Sequence, residues 1–298
     1  MKILVIHENA NPDYPTFRLI KAAKEMGHEP LYVRISRLNV EIKDSIRIFT
    51  CNGTELNDYK AGFIRSFGFF TNLLQYQRRI AVLKTLEEIM PLMNPLDALL
   101  ISRNKLLTLL FLKRNGIRVP YTLSTESMKI SYTIATKLGF SVIKPITGSR
   151  GYGISLAPNP DTAFLILKTL LSNKHPMLIQ EYIKNPGYDI RVIVVGNNVI
   201  GAMKRIATRC WKTNIAQGGK GMKYELTTEL EKIAIKATKA LGLWYAGVDI
   251  IEGEDGYYVL EVNGSPNWQE FTKVTGVDPS FEIVNYLVRI SSDIEKAT

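Results

Sequence analysis

"GYYVLEVNGSPNW", residues 256–268, is the stretch on which the fold turns. An apolar run from Tyr257 to Leu260 ends in Glu261, Asn263 follows two positions later, and Gly264, Ser265 and Pro266 break the run. Strand alternation puts Glu261 and Asn263 on one face and Val262 on the other. A second apolar stretch, "YAGVDIIE" at 245–252, precedes it across a Gly/Asp turn and reads as its hairpin partner, with Asp249 between Val248 and Ile250. One face of the pair then gathers two carboxylates and an amide oxygen. Hard oxygen donors of this kind suit Mg²⁺, above all when phosphate oxygens share it. The plain alternative is a pair of solvated charges at a sheet edge. Three oxygen donors flanked by apolar residues on paired strands favour the metal.

Three segments upstream carry further chemistry. In "VIKPITGSRGYG" (142–153), Lys144 lies in an apolar strand and Gly148, Ser149, Gly151 and Gly153 follow. Backbone N–H groups of a glycine-rich turn can surround phosphate oxygens. The lysine precedes the glycines and no helix follows, which disfavours both the Walker and the dinucleotide patterns. A strained hairpin turn is the alternative, yet a lysine in a buried strand needs a partner, and a nucleotide phosphate supplies one. "LIQEYIKNPGYDIR" (178–191) can offer backbone groups to a purine edge, with Glu181 or Asp189 for ribose hydroxyls; an inter-domain connector is equally consistent. "MKRIATRCWKTNIAQGG" (203–219) brings Lys204, Arg205, Arg209 and Lys212 close to Asn214, Gly218 and Gly219. Those cations either clamp a phosphate or carboxylate or form a solvated basic face. His7, His28 and His175 stand in unlike contexts and carry no site.

The remainder sets the frame. The 298 residues, 46% hydrophobic and 22% charged, suffice for two or three domains and exclude a disordered composition. No apolar run reaches the roughly 20 residues that span a bilayer, since Arg103 and Lys105 interrupt "ALLISRNKLLTLLFL" (98–112). Cys51 and Cys210 make neither a disulfide framework nor a metal spacing, so a reducing cytoplasm is expected. The net charge of +10 is spread along the chain without a basic block, which favours an anionic substrate over nucleic acid. Strands alternate with helices at 1–98, predicting a doubly wound parallel sheet. Within that part, helices close at Gly27 and Pro91. The next part, 99–186, opens on a helix that Ser102 can cap. The last, 187–298, is richer in β structure and holds the clearest hairpin, turning at Gly196, Asn197 and Asn198.

In this order and spacing, "SRNKLLTLLFLKRNGIRVP" (102–120), the lysine strand and glycine loop, "QEYI", "DIRVIVVGNNVIGAMKR", "NIAQGG", "GVDII" and "LEVNGSPNW" resemble the ATP-grasp superfamily, in its RimK-like amino-acid (glutamate) ligase branch. The resemblance covers about residues 100 to 275. It implies an α/β fold, α+β towards the C-terminus: a doubly wound pre-ATP-grasp domain, then two α+β subdomains that sandwich ATP. Lys105 and Lys144 would contact ATP phosphates, and the loop with Gly148, Ser149, Gly151 and Gly153 would cover them. Glu181, Tyr182, Ile183 and Asp189 would line the adenosine site, with Lys212, Thr213 and Asn214 near the γ-phosphate. Asp249, Glu261 and Asn263 would hold Mg²⁺, with Mn²⁺ as a substitute. Arg191, Arg205, Gly218 and Gly219 would face the substrates, Arg205 acting with Lys212 and Asn214 in catalysis. Lys212 and Gln217 stand where the family carries arginines, and Trp268 in "NGSPNWQEF" is a candidate to pack on the acceptor. The implied activity is ATP- and Mg-dependent amide formation through an acyl phosphate, adding L-glutamate to an anionic, carboxylate-bearing coenzyme-type molecule. The alternatives are an acidic protein tail, or a carrier protein or peptide. A non-catalytic nucleotide sensor and a nucleic-acid binder are disfavoured. A homo-oligomer, dimer or tetramer, is expected, with no membrane partner.

Overall fold

A computed structural model describes residues 1–68, 71–148, 150–208 and 211–297. The first part builds a parallel sheet. Strands β1 (Lys2–His7), β2 (Glu29–Arg34), β5 (Ala61–Ile64) and β6 (Leu92–Met93) lie in the order β2-β1-β5-β6, every pairing parallel. Helix α1 (Tyr14–Glu25) connects β1 to β2, and α2 (Leu73–Ile89) connects β5 to β6. Asp13 caps α1 by accepting from Thr16 N, and Asn72 forms a capping box with Gln75 on α2. Between β2 and β5 a separate hairpin, β3 (Leu38–Ile42) with β4 (Ile46–Thr50), stands outside the parallel sheet. The stretch "SIRIF" (45–49) therefore contributes to this hairpin, while "AGFI" (61–64) joins the parallel sheet.

Two short helices follow, α3 (Leu96–Arg103) and α4 (Lys105–Arg114). The expected cap at Ser102 is not one: Ser102 lies inside α3 and donates to Leu99 O. Asn104 separates the helices and accepts from Leu106 N and Leu107 N. That cap places Lys105 at the first position of α4. The division expected at residue 98 falls within α3.

The central part is a four-stranded antiparallel sheet in the order β7-β10-β8-β9: β7 (Thr122–Thr125), β8 (Ser141–Pro145), β9 (Ser155–Ala157) and β10 (Met177–Glu181). Helices α5 (Met128–Leu138) and α6 (Pro160–Ser172) cover one face, burying Ala135, Ile143, Ala163, Leu167 and Ile179 in a small core of their own. The other face stays open.

The last part is a five-stranded antiparallel sheet in the order β13-β12-β11-β14-β15: β11 (Tyr188–Val195), β12 (Asn198–Ile206), β13 (Lys220–Tyr224), β14 (Tyr245–Gly253) and β15 (Gly256–Asn263). Helix α7 (Thr228–Ala240) packs Leu230, Ala234 and Ala237 against its inner face, in one core with Leu4, Ile6 and Leu83 of the parallel sheet and its helix. Helices α8 (Gln269–Thr275) and α9 (Ser280–Ala297) return the chain to α1, burying Phe271, Ile283 and Leu287 against Ile3, Val5 and Leu19. The lysine-bearing central sheet therefore has a private core, whereas the two flanking sheets share theirs.

Trp268 departs from expectation. It is 0% exposed, with the Arg65 guanidinium 5.1 Å from its ring centroid. Arg65 in turn donates to Tyr245 Oη and Pro266 O. The indole packs the junction between the parallel and five-stranded sheets and reaches no acceptor. Among the described residues no helix is long and apolar enough to cross a membrane.

Candidate active site

The open face of the central sheet looks across a cleft at the five-stranded sheet, leaving an empty volume of about 800 Å³. Val142, Ile154 and Ile183 on one side, and Trp211, Ile251 and Leu260 on the other, give it apolar walls. Lys105, Lys144, Glu181, Tyr182, Asp189, Arg205, Lys212, Thr213, Asn214, Asp249 and Glu261 all line it. Residues from six sequence segments thus meet in one space.

A row of charges crosses the five-stranded sheet. Asp189 lies opposite Arg205, and Arg191 opposite Asp249, which in turn pairs with Glu261. Neighbours on adjacent strands share a face, so the row follows directly from the register. Arg205 donates Nε and Nη2 to the two oxygens of Asp189 at 2.7 and 2.6 Å, and Nη2 also lies 2.9 Å from Asp249 Oδ2. Arg191 grips Asp249 in bidentate fashion, one contact being Nη2 to Oδ2 at 2.7 Å. Thr213 Oγ1 completes the set by donating to Asp189 Oδ2 at 2.6 Å. Burial alone would push the Asp249 carboxyl up; the guanidinium groups of Arg191 and Arg205 outweigh it and hold the group below the usual carboxylate range. Lys204, grouped with Arg205 in the sequence, points to the other face and sits 5.5 Å from the Tyr188 ring centroid. Arg209 lies outside the described residues.

Glu261 reaches this face through a bulge. Asp249 pairs with Glu261, but Ile250 pairs with Val259, so Leu260 is an extra residue in β15. A bulge re-aims the side chains that follow it. Leu260 and Glu261 consequently both face the cleft, while Val259 and Val262 enter the core. Asn263 follows beyond Val262, opposite Gly247, and its Oδ1 accepts from Ser265 N at 3.0 Å.

On the opposite side stand the lysines. Lys105 Nζ donates to Gly148 O at 2.8 Å and lies 3.8 Å from Glu261 Oε1. Lys144 Nζ donates to Gln180 Oε1 at 2.5 Å; the strand lysine has a protein partner that its sequence context did not disclose. Glu181 Oε1 accepts from Tyr121 N at 2.6 Å, which steadies the carboxylate at the cleft edge. Tyr182 stacks edge-on against Phe140. Beyond them Asn185 shapes the connection between the sheets, donating to Ile183 O and accepting from Gly187 N.

Two loops meet over the cleft. Lys212 Nζ donates to Gly151 O at 3.1 Å and Gln217 Nε2 to Arg150 O at 3.3 Å. At Gly151, φ is +74° and a Cβ would crowd Asn214 Oδ1, so glycine favours the close approach of the two loops. Gly148 and Gly153 flank it in the same loop, and Ser149 lies outside the described residues. Gly218 and Gly219 close the second loop; a Cβ on Gly219 would strike Thr213 O. Gln180, Asn185 and Trp211 were not singled out in the sequence. Gln180 alone carried a signal, as a polar residue between apolar Ile179 and its strand partners.

Among the described residues no three His, Cys, Asp or Glu side chains form a metal cage. The donors expected from the sequence are two carboxylates paired across β14 and β15 and the Asn263 amide oxygen, which accepts from Ser265 N. Glu261 keeps 28% of its side chain exposed, and among the described residues its one ion pair is with Lys105 at 3.8 Å, so it has lone pairs to give. Such a set fits a Mg²⁺ ion that takes its other ligands from phosphate and water.

Two antiparallel α+β units facing across a lysine-lined cleft, behind a parallel α/β unit, are the architecture of an ATP-grasp ligase. Residues 102–287 match the family model of the RimK-like ATP-grasp domain, and the chain belongs to that family. It is 38% identical over 240 residues to the tetrahydromethanopterin:alpha-L-glutamate ligase of Methanocaldococcus jannaschii, covering 78% of this chain and 81% of that one. To the protein of the same name from Methanococcus maripaludis it is 32% identical, covering 96% and 97%. Among solved structures, the ATP-grasp ligase PsnB complexed with a phosphomimetic variant of its minimal precursor, Mg and ADP superposes with a TM-score of 0.77 at 23% identity, covering 97% of this chain and 98% of that one. The protein is an ATP-dependent carboxylate–amine ligase.

Proposed function

We propose that this ligase uses ATP and Mg²⁺ to join L-glutamate to an anionic, carboxylate-bearing small molecule of the coenzyme type. The observation that carries the reading is the meeting, in one cleft, of Lys105 and Lys144 with Asp249 and Glu261. The names of the relatives support the amino acid and the acceptor class, and the net charge of +10 suits an anionic acceptor.

Adenine enters between the apolar walls, its edge at the backbone of Glu181 to Ile183 and its ribose at the Glu181 carboxylate. Lys105 and Lys144 meet the phosphates, and the loop carrying Gly148, Gly151 and Gly153 covers them. Asp249, Glu261 and Asn263 would hold Mg²⁺, which would supply charge neutralisation at the phosphoryl oxygens. The acceptor carboxylate attacks the γ-phosphorus; its O–P bond forms as the bond to the β-phosphate oxygen breaks, releasing ADP. The glutamate amine then attacks the acyl carbon, inorganic phosphate leaves, and the amine loses its proton. Arg205, Arg191 and Lys212 offset the charge that develops on the transferred group, with Asn214 and the Gly218–Gly219 backbone at the substrate end. Positioning and electrostatics of this sort account for most of phosphoryl-transfer catalysis.

The test is ADP release with ATP, Mg²⁺, each amino acid in turn, and a panel of acceptors containing pterin- and deazaflavin-type coenzymes beside peptides with acidic C-terminal tails. Release should require glutamate together with a coenzyme-type acceptor. Release with the peptides alone would move the acceptor to a protein, and none with any acceptor would overturn the proposal.

ATP binding should also depend on pH with a definite sign. Burial and the nearby Lys105 lower the Lys144 ammonium while Glu261 and Asp249 raise it, leaving it at about 8 against a usual 10.5. Below pH 8 the ammonium is charged and attracts phosphate. Above it the free enzyme loses that proton, and binding must restore it. Affinity should therefore be flat up to about pH 8 and weaken by up to roughly tenfold per pH unit beyond. Calorimetric Kd values for ATP between pH 7 and 9.5 check this; a flat profile would contradict it.

A further inference from the structure

Gln180 is 2% exposed, in β10 beside β7 and β8, with its amide on the cleft face of the sheet. It sits in the middle of a chain of hydrogen bonds. Lys144 Nζ donates to its Oε1 at 2.5 Å, its Nε2 donates to Thr122 Oγ1 at 2.8 Å, and Thr122 Oγ1 donates to Pro120 O at 3.0 Å. The direction of the chain is set at its far end. A main-chain carbonyl only accepts, so the single hydroxyl proton of Thr122 points to Pro120. The lone pairs of Thr122 then face Gln180 and demand its NH₂ group. The amide oxygen is left towards Lys144. The strand register and one hydroxyl thus select which end of the amide meets the ammonium.

The partner chosen is neutral. Among the described residues no carboxylate lies within 4.0 Å of Lys144 Nζ, whereas Lys105 has Glu261 Oε1 at 3.8 Å. A glutamate at position 180 would be nearly isosteric and would hold the ammonium more strongly, but it would cancel its charge. At this distance, in surroundings drier than bulk water, two opposite unit charges look from outside like a dipole. An amide fixes the same position and leaves the charge uncompensated.

From this arrangement we infer that Gln180 is a positioning residue for the ligase reaction: a neutral amide, aligned by Thr122 and Pro120, that fixes the Lys144 ammonium in the cleft and leaves its full charge to the phosphates of the nucleotide. The inference rests on the proposed role of Lys144 as a phosphate contact. It differs from a structural role in a measurable way. A buried amide kept only for packing could be exchanged for a glutamate without loss of nucleotide affinity, because Lys144 would satisfy the new carboxylate.

The experiment compares wild type with Gln180→Glu, Gln180→Leu and Thr122→Val, reading the ATP Kd by calorimetry, KM for ATP against kcat, and the thermal midpoint. Gln180→Glu should keep its midpoint within a few degrees and lose roughly ten- to a hundredfold in ATP affinity. Gln180→Leu, which releases the ammonium without neutralising it, should raise KM for ATP by less than Gln180→Glu does. Thr122→Val removes the group that orients the amide and should cost ATP affinity severalfold, with the fold intact. Wild-type affinity in Gln180→Glu, or in Thr122→Val should the first variant not fold, would overturn the inference. So would losses that merely follow a falling midpoint. If wild type itself bound no ATP, the proposed function would fall; if it bound ATP and the variants matched it, only the role of Gln180 would.

Discussion

Glu261→Gln is expected to yield a folded protein whose turnover is about a thousandfold lower, the scale seen when a group aimed at transition-state charge is removed. The substitution keeps shape and deletes one negative charge. Glu261 lies directly across from Asp249, so the change also relieves a like-charge pairing between strands. Among the described residues its one ion-pair partner is Lys105 at 3.8 Å, which keeps its bond to Gly148 O. Stability should hence stay within about 1 kcal/mol of wild type, as for a substitution that breaks no buried network. What is lost is an anionic oxygen between the lysine side of the cleft and the arginine row, where Mg²⁺ would share the charge of the triphosphate. Phosphate release with saturating ATP and glutamate measures the effect, and a Mg²⁺ titration should show a weaker dependence. A variant with unimpaired turnover would remove Glu261 from the metal site.

The particular residues show where sequence reading stops. The hairpin around Gly196 and Asn197, the helix ends at Gly27 and Pro91, and the lysine strand all follow from local chemistry, and they stand where the chain predicts them. The cleft-facing side of Glu261 was legible too, because alternation against core-facing Val262 holds at the end of β15. The bulge itself was not: it exists only because two residues of β15 oppose one step of β14, and nothing in "YYVLEVN" marks the extra residue. Pairings within the charge row were hidden for the same reason. Asp189, Arg191 and Asp249 are each isolated charges among apolar neighbours and Arg205 follows another cation, Lys204; only the register of three strands decides which meets which. Trp268 misled because its nearness in sequence to Glu261 and Asn263 suggested nearness to substrate; it is instead buried in the core beneath Arg65, some 200 positions away. The cap at Asn104 lost to Ser102 in the sequence because both residues can cap, and the break between α3 and α4 has no glycine or proline to announce it.

Asp249 holds the charge row together, and its removal should act on stability before it acts on chemistry. The carboxylate is 4% exposed and accepts from Arg191 through two nitrogens and from Arg205 through one. Arg205 keeps Asp189 when Asp249 is gone, but Arg191, 8% exposed, has no second carboxylate among the described residues. Breaking a buried ion pair from one side costs about 3–5 kcal/mol, because the remaining charge is neither hydrated nor paired. Asp249→Ala should lose that much in denaturant unfolding, against a typical domain stability of roughly 5–15 kcal/mol. Removing the stranded cation as well, in Asp249→Ala/Arg191→Met, should recover part of the loss, giving a favourable coupling of about 1–3 kcal/mol in a double-mutant cycle. Activity should not recover with it, since the double variant lacks both a proposed metal ligand and a proposed clamp on the transferred phosphate. The two readouts therefore part company: the arginine–aspartate pair supports the sheet, and in the proposed mechanism the same carboxylate would serve the cation. An additive cycle, with the double variant no more stable than the sum of the singles, would mean that Arg191 and Asp249 meet without stabilising the fold.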